Sequence, residues 1–268
     1  MIVFLNGLSI SSIVISTALG HCGRGFFPYL LFPNYRKLVS TVKLEKISVA
    51  TKSSTRFPRV GNFAMKDPRT WKYVQRLPNM GMLNAYGLTK AIQEILEAIE
   101  IFCFYFETEK WILELNFSCP NSEEVIAENI QMALRCATKV KKLYPSIAVI
   151  AKTNIVHPYH FYTMLGGAGA DCIHTINTIP YTMLSDSVSS LEHVGGDGVS
   201  GEPAFQKEFP YISKISNWTS LPLIFGCGVV NRHNMDMYFE AGAQSVSICT
   251  LVARAPKKVR ELILEFGN

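Results

Sequence analysis

The sequence predicts an α/β fold, a (β/α)8 TIM barrel, from three observations. Short β-branched runs alternate with amphipathic helical segments along most of the 268 residues. About eight strand candidates fit within this length, which is typical of such a barrel. A doubly wound sheet would favour a glycine-rich first turn of the G-x-G-x-x-G type, and the sequence has none. We therefore expect one barrel domain spanning residues 1–268, with a short hairpin before its first strand.

The first half of the chain begins with Asn6-Gly7, a dipeptide that favours a tight β-hairpin. Strands are predicted at residues 13–15, 47–51, 101–106 and 111–116. Apolar residues at helical spacing predict one helix from Leu88 and a longer one after Asn121. The longer helix is expected to bury one face, formed by Ile126, Ile130, Ala133, Ala137 and Val140.

The second half repeats the alternation more regularly. Strands are predicted at residues 147–151, 172–176, 223–225 and 246–248. Helices are predicted at residues 159–165, 205–215, 235–241 and 256–266. Gly166-Gly167 is expected to end the first of these helices. No segment has the composition of a linker, which supports a single domain.

Composition and charge exclude several classes of protein. A hydrophobic fraction of 48% with 18% charged residues excludes a disordered chain. The net charge of +5 is spread along the sequence, and one dense basic cluster, at residues 139–142, is too short for a dedicated nucleic-acid-binding arm. The seven cysteines form no C-x-x-C pair and no Cys/His metal spacing, so we expect no metal site and a reducing cytoplasmic environment.

The apolar N-terminal residues 2–19 allow two interpretations, a hairpin followed by the first strand or a targeting segment. No Lys or Arg precedes Arg24, so the basic region that opens a signal peptide is missing. We therefore favour the hairpin. No other stretch is long enough to span a bilayer, and we expect no membrane association.

Polar residues follow almost every predicted strand, where a barrel of this type places its active site. These strand ends are residues 51–55, 116–121, 152–154, 177–178, 200–201, 226–228 and 249–250. Lysines and carboxamides at successive strand ends indicate a site for a planar, anionic ligand that forms hydrogen bonds. Glycines at the last strand ends fit the phosphate position of such barrels.

Four motifs lie in the first half of the chain: Thr-Lys-Ser-Ser-Thr at 51–55, Pro-Arg-Val-Gly-Asn at 58–62, Met-Leu-Asn-Ala-Tyr-Gly-Leu at 82–88, and Glu-Leu-Asn-Phe-Ser-Cys-Pro-Asn at 114–121. Two glycine motifs support them, Gly-Gly-Asp-Gly-Val-Ser-Gly at 195–201 and Gly-Cys-Gly at 226–228. Together the motifs resemble the dihydroorotate dehydrogenase family, in particular its soluble class with a cysteine base. They occur in the family's order and cover nearly the whole chain. The cysteine motif is specific, whereas many phosphate-binding barrels have similar glycine motifs.

The resemblance implies an FMN-dependent oxidation of dihydroorotate to orotate in de novo pyrimidine (UMP) biosynthesis. Cys119 would remove the C5 proton while a hydride leaves C6 for the flavin. Lys52 would lie near flavin and substrate, and Lys152 near the electron-rich end of the isoalloxazine ring. This chemistry is reasonable because a thiolate flanked by cations is a more available base than an isolated one.

The resemblance also implies the binding residues and a homodimer. The substrate would contact Lys52, Asn84, Ala85, Tyr86, Gly87, Leu88, Asn116, Asn121, Asn177 and Thr178. The FMN would contact Ala18, Lys52, Ser53, Asn116, Lys152, Ile176, Ser200, Gly201, Gly226, Gly228, Val229, Cys249 and Thr250. The electron acceptor stays open between fumarate, a nicotinamide through a partner iron–sulfur subunit, and a quinone.

The sequence departs from the family pattern at three places, one of which is the segment between Arg59 and Arg69, which is longer than the family's. About 25 residues separate Leu88 from Glu114, fewer than the roughly 30 of one βα unit, which predicts a shortened barrel wall between strands three and four. Val229 and Cys249 stand where the family has glycines, and we expect their Cβ atoms to crowd the phosphate.

Two alternatives to a dihydroorotate dehydrogenase therefore remain, a flavin-binding barrel without turnover and an oxidoreductase like dihydropyrimidine dehydrogenase. Cys119, Lys52 and Lys152 favour the enzyme, whereas the shortened wall and the changed phosphate position favour the barrel without turnover. Most cysteines in proteins are small buried apolar residues, and we expect this of Cys22, Cys103, Cys136 and Cys172. Five histidines show no ligand spacing and are given no role: His157, His160, His174, His193 and His233.

Overall fold

The centre of the computed structural model is a parallel sheet of seven strands. The structure describes residues 3–16, 18–19, 25, 29–42, 47–50, 95–97, 99–100, 103, 111–118, 126–184 and 198–266. The strands are β1 Val3–Leu5, β2 Leu8–Ile10, β3 Ile13–Ser16, β4 Ser48–Ala50, β5 Ile112–Asn116, β6 Ala148–Lys152, β7 Cys172–Thr175, β8 Ile179–Pro180, β9 Gly198–Val199, β10 Leu223–Gly226 and β11 Ser245–Ile248. The order in the main sheet is β4-β3-β11-β10-β7-β6-β5, and every neighbouring pair is parallel.

The sheet curls into a barrel, as predicted. Lys152 on β6 reaches Ser16 on β3, with 3.3 Å between Nζ and Oγ, although three strands separate β3 from β6 in the sheet. Such a contact requires the sheet to bend around a common interior, which we call the lumen. The two edge strands are β4 and β5, so the gap in the described barrel lies in the wall predicted to be shortened, and most residues between these strands lie outside the described part.

Helices cover the outer surface of the barrel. They are α1 Pro33–Thr41, α2 Ile126–Leu143, α3 His160–Gly167, α4 Glu202–Ile212, α5 Arg232–Glu240, α6 Thr250–Arg254 and α7 Pro256–Phe266, with short 3-10 turns at Tyr29–Leu31, Tyr181–Met183 and Ile215–Asn217. Their apolar faces pack against strand residues such as Ile15, Val149 and Phe225 in one large core. No helix in the described part of the chain is long and apolar enough to cross a bilayer.

Most predicted elements are confirmed within a few residues, and three details differ. The helix predicted at 205–215 begins at Glu202, directly after Gly201 with φ of 88°, and has a proline near its start. Ile126 is 45% exposed because it is the first residue of α2, one turn before the buried Ile130. Cys103 is helical, so the strand predicted at 101–106 is wrong there. Ile95, Ile99 and Cys103 lie four residues apart, and this helical spacing outweighs the β propensity of the aromatic run.

The N-terminal hairpin closes the lower end of the lumen. β1 and β2 pair through Asn6 and Gly7, whose φ angles of 50° and 80° fit a tight turn with two left-handed residues, and the predicted hairpin is confirmed. Leu5 and Ile10 are buried there. They pack in a second apolar core with Val14, Ala148, Ile150, Cys172 and Ile224. This plug leaves the opposite end, at the carboxyl ends of the strands, for a ligand.

Candidate active site

The lumen changes from apolar to polar toward the carboxyl ends of the strands. Successive lumen-facing residues lie two positions apart in a strand. Four strands change from apolar to polar within one such step, at Val14 and Ser16, Ile112 and Glu114, Ile150 and Lys152, and Cys172 and His174. The upper lumen is therefore a polar floor above an apolar plug.

Glu114 joins the charged groups of this floor. Its Oε2 lies 2.6 Å from His174 Nδ1, and its Oε1 lies 3.7 Å from Lys152 Nζ. Lys152 also donates a hydrogen bond to Ser16. Lys152, His174 and Ser16 are all buried. Three neighbouring strands thus hold one cation, one carboxylate and one imidazole in direct contact at the base of the site.

Burial and the neighbouring charges determine the protonation states of Glu114 and His174. Burial alone would raise the pKa of Glu114, but Lys152 and His174 outweigh it through their charges and hydrogen bonds and lower that pKa to about 2. Burial is the largest cause of the lowered pKa of His174, which Glu114 only partly opposes. At neutral pH Glu114 is therefore a carboxylate, and a neutral His174 donates its Nδ1 proton to it.

Three strand ends meet at the carbonyl oxygen of Ser118. Asn154 Nδ2 donates to it at 3.2 Å and Asn177 Nδ2 at 3.5 Å. Asn116 Oδ1 in turn accepts hydrogen bonds from the Ser118 amide at 3.1 Å and its hydroxyl at 2.6 Å. These bonds hold Ser118, the residue that directly precedes Cys119 in the sequence, at the upper end of the lumen.

The glycine turn, Gly226-Cys227-Gly228, follows β10 and is closely packed. A Cβ on Gly226 would lie 2.7 Å from the Ser247 Cβ, and a Cβ on Gly228 would lie 2.5 Å from the Phe205 Cβ. Both positions therefore require glycine. The close approach of the turn to Ser247 and Phe205 is what requires glycine at these two positions.

Hydroxyl groups from two other strand ends meet close to each other. Ser200 Oγ and Thr250 Oγ1 are hydrogen-bonded at 2.7 Å. A Cβ on Gly201 would lie 3.4 Å from Thr250 Cγ2, which puts Gly201 beside the same pair. The structure therefore brings Ser200, Gly201 and Thr250 together, three of the residues predicted to bind the cofactor.

The crowding expected from the two missing glycines is not seen at Val229. Val229 is 4% exposed and packs in the large apolar core between the helices and the strands. Cys249 is half-buried and precedes α6 with a φ of −128°, which lies outside the left-handed region. The strained residue is instead Cys227, with φ of 71°.

The other described candidates lie at the ends of β3 and β7. Ala18 is buried and its carbonyl oxygen accepts a hydrogen bond from the Tyr35 hydroxyl at 2.6 Å. Ile176 and Thr178 are buried, and within the described residues the Thr178 hydroxyl has no hydrogen-bond partner. A buried hydroxyl of this kind is well suited to a bound polar ligand.

Several predicted residues lie outside the described part of the chain, and their predictions stay untested. They are Lys52, Ser53, Asn84, Ala85, Tyr86, Gly87, Leu88, Cys119 and Asn121. Sequence reasoning in turn missed the roles of Glu114, His174 and Ser16. Their signal in the sequence is a polar residue at alternate positions of otherwise apolar strands.

Comparisons with known proteins agree with this architecture. The family of histidine biosynthesis proteins matches residues 202–268. The catalytic subunit of dihydroorotate dehydrogenase B (NAD(+)) from a Geobacillus species is 27% identical over 248 residues, covering 81% of this chain and 76% of the relative. The subunit of the same name from Bacillus pumilus is 27% identical over 254 residues, covering 82% of this chain and 79% of the relative.

Solved structures support the fold. DHODH from Eimeria tenella in complex with ferulenol has a TM-score of 0.60 at 12% identity and covers 99% of this chain and 86% of its own. The ligand-free form has a TM-score of 0.59 at 15% identity, with 99% and 88% covered. The chain is thus similar to dihydroorotate dehydrogenase catalytic subunits in sequence and to DHODH in fold, which supports a divergent member of this family.

Proposed function

We propose that this protein is an FMN-dependent oxidoreductase that converts dihydroorotate to orotate in pyrimidine biosynthesis. One observation carries the proposal most directly. A buried cation, Lys152, and a turn that requires glycine at Gly226 and Gly228 lie at the carboxyl ends of strands in the same barrel. Lys152 would pair with the reduced, anionic flavin ring, and the glycine turn would bind the FMN phosphate.

The described residues fit FMN. The backbone of the glycine turn and the hydroxyls of Ser200 and Thr250 would hold its phosphate. Lys152, at the end of β6, would contact its ring. The Thr178 hydroxyl, after the neighbouring strand β7, has an unused hydrogen-bonding capacity among the described residues. When bound, FMN accepts the hydride that leaves C6 of dihydroorotate.

The protein's own residues would carry out the proton transfer. A thiolate at Cys119 takes the proton from C5, which is acidic because a carbonyl is adjacent, and the C5–C6 double bond forms as the hydride leaves. The hydrogen bonds to Ser118 hold the residue that precedes this base, and a cation beside the thiol would favour the thiolate. Asn116 and Asn177 would donate hydrogen bonds to the pyrimidine and its carboxylate.

The relatives' name suggests the acceptor to test first. They are named as catalytic subunits of an NAD(+)-dependent enzyme. We therefore propose that electrons pass to NAD+ through a partner subunit, with fumarate and quinones as the competing acceptors, and that the catalytic chain forms a homodimer.

Anaerobic mixing with dihydroorotate tests the proposal. We expect a yellow protein whose flavin absorbance is bleached by dihydroorotate, and we expect Cys119→Ala to slow the bleaching by about 10²–10⁴ while keeping the flavin. Cys103→Ala is the matched control, since Cys103 lies in a helical segment before β5, and it should bleach at the wild-type rate.

Three other results would contradict the proposal. A yellow protein that dihydroorotate does not bleach would be a flavin-binding barrel without turnover. Bleaching by dihydrouracil alone would indicate an enzyme like dihydropyrimidine dehydrogenase. Normal bleaching in Cys119→Ala would remove this thiol from the mechanism.

A further inference from the structure

Glu208 is a fully buried carboxyl group beneath the glycine turn. It lies on the inner face of α4 with Ala204, Phe205 and Ile212. None of the ion pairs formed between described residues includes it. A buried carboxylate without a cation is strongly disfavoured, and such groups keep their proton instead.

The hydrogen bonds of Tyr238 indicate where that proton lies. The Tyr238 hydroxyl, from α5, contacts both Glu208 Oε1 and, at 2.7 Å, the Cys227 carbonyl oxygen. A tyrosine hydroxyl has a single proton to donate. If it donates to Cys227, the contact with Glu208 needs a second proton, and a protonated Glu208 supplies it. The order is then Glu208 to Tyr238 to Cys227.

The second carboxyl oxygen supports the same assignment. Glu208 Oε2 is buried and has no hydrogen-bond partner among the described residues. An ionised carboxylate spreads its charge over both oxygens, so an unpaired buried oxygen would be costly. In the protonated acid that oxygen is an uncharged carbonyl, for which the cost is smaller.

This hydrogen-bonded pair supports the turn at its strained residue. Cys227 has the left-handed φ of 71°, and Gly228 follows with the same value. Tyr238 is fixed in turn by the rings of Phe205, Phe209 and Phe225, which surround it at centroid distances of 5.3 to 6.1 Å. The Cys227 carbonyl is therefore held from below by a rigid donor.

Of the titratable groups that face one another here, Glu208 is the one that titrates at mildly alkaline pH. Burial raises its pKa to about 8, although Tyr238 and Cys227 partly oppose this through hydrogen bonds. Burial also raises the pKa values of Cys227 and Tyr238 well above their ordinary range, and Cys249 adds to the effect on Cys227.

We propose that Glu208 and Tyr238 are positioning residues of the glycine turn, and that a phosphate bound there requires Glu208 to keep its proton. This inference rests on the proposed function in one respect, that the turn holds the FMN phosphate. An ionised Glu208 would repel that phosphate and remove the proton on which the hydrogen-bond order depends. Phosphate binding and proton retention are thus coupled.

Titration of the apoprotein with FMN between pH 7 and 9 tests the coupling. The phosphate charge is constant in this range because its second pKa is about 6. We expect FMN affinity to fall about tenfold from pH 7 to 9, as Glu208 becomes mostly ionised in the free protein. The affinity for riboflavin, which has no phosphate, should stay constant.

Variants separate positioning from simple structural support. Glu208→Gln is neutral at every pH and can still donate to Tyr238, so its FMN affinity should match that of the wild type at pH 7 and stay unchanged at pH 9. Glu240→Gln, at an exposed position on α5, is the charge-matched control and should keep the tenfold fall. Tyr238→Phe should weaken FMN binding several-fold already at pH 7.

A measurement on the wild type alone guards against misfolded variants. Calorimetry in two buffers of different ionisation enthalpy should show proton uptake when FMN binds at pH 8.5, and none when riboflavin binds. FMN binding without proton uptake, or a tenfold fall retained in Glu208→Gln, would overturn the inference and leave the proposed function intact. If the wild type binds no FMN at any pH, both fail.

Discussion

Glu114 and Glu208 are glutamates in the same barrel, and the structure gives them different protonation states, an anion for Glu114 and a neutral acid for Glu208. Glu114 lies in the lumen between Lys152 and His174, and its pKa is lowered to about 2. Glu208 lies between α4 and α5 without a cation among the described residues, and burial raises its pKa to about 8. The comparison teaches that burial makes the ionisation of a carboxyl group unfavourable, whereas a neighbouring cation decides whether the group ionises nevertheless.

The two states suit the two ends of the proposed site. At the ring end, Glu114 holds Lys152 in place, so the cation cannot turn toward solvent. At the phosphate end, a neutral Glu208 leaves the turn free of negative charge. One chain thus uses the same residue type once as a fixed anion and once as a proton donor.

The largest effect on the pH dependence of the unfolding free energy should come from replacing Glu208. A folded-state pKa near 8, above the unfolded value near 4.5, means that the folded protein holds this proton more tightly, so the contribution of Glu208 to stability falls as pH rises from 4.5 to 8. This loss is on the order of 4 kcal/mol at about 1.4 kcal/mol per tenfold change. Glu208→Gln should abolish the fall. Urea unfolding at pH 5 and pH 8 measures it, and Glu240→Gln should behave like the wild type.

Removing Lys152 should leave Glu114, like Glu208, as a carboxyl group without a neighbouring lysine. Lys152→Met leaves the Glu114 carboxylate without its cation, and we expect a loss of roughly 3 kcal/mol in unfolding free energy at pH 8. Adding Glu114→Gln should recover most of that loss. Lys141→Met, which breaks a partly exposed ion pair with Asp171, should cost about 1 kcal/mol or less. Equal losses of unfolding free energy in the two lysine variants would contradict the difference that we assign to the buried and the partly exposed ion pair.

Glu114 should in turn produce the opposite pH dependence. Its folded-state pKa near 2 lies below the unfolded value near 4.5, so its stabilising contribution is present above pH 4.5 and is lost as pH falls toward 2. The expected change is roughly 3 kcal/mol. Glu114→Gln should remove this acid-side loss while keeping the fall between pH 4.5 and 8. A variant that keeps the acid-side loss would show that other carboxyls cause it.

The smallest effect concerns the turn above Glu208. At Cys227, with φ of 71°, glycine should be more stable than alanine by about 1 kcal/mol. At Cys249, with φ of −128°, the order should reverse, with alanine more stable by about 0.5–1 kcal/mol. Thermal unfolding of the four variants checks this, and the same sign at both positions would show that backbone conformation is not the cause.

The sequence by itself determined the order of strands and helices and the side of the barrel that holds the site. Hydrophobic periodicity is a local property, so it predicted elements such as α7 and β10 closely. Asn6-Gly7 fixed the hairpin through its own backbone preferences. Polar residues after the strands located the site because parallel strands place their carboxyl ends at one edge of the sheet.

Only the tertiary structure decided which of those residues meet and what charges they have. Ser16 and Lys152 are 136 residues apart, and only the curl of the sheet brings them together. Val229 is buried because of the apolar core into which it packs, which its position in the sequence does not reveal. Glu114 and Glu208 look alike in the sequence, but their ionisation depends on partners from other strands and helices, since a pKa is set by the distances to all surrounding charges and by burial.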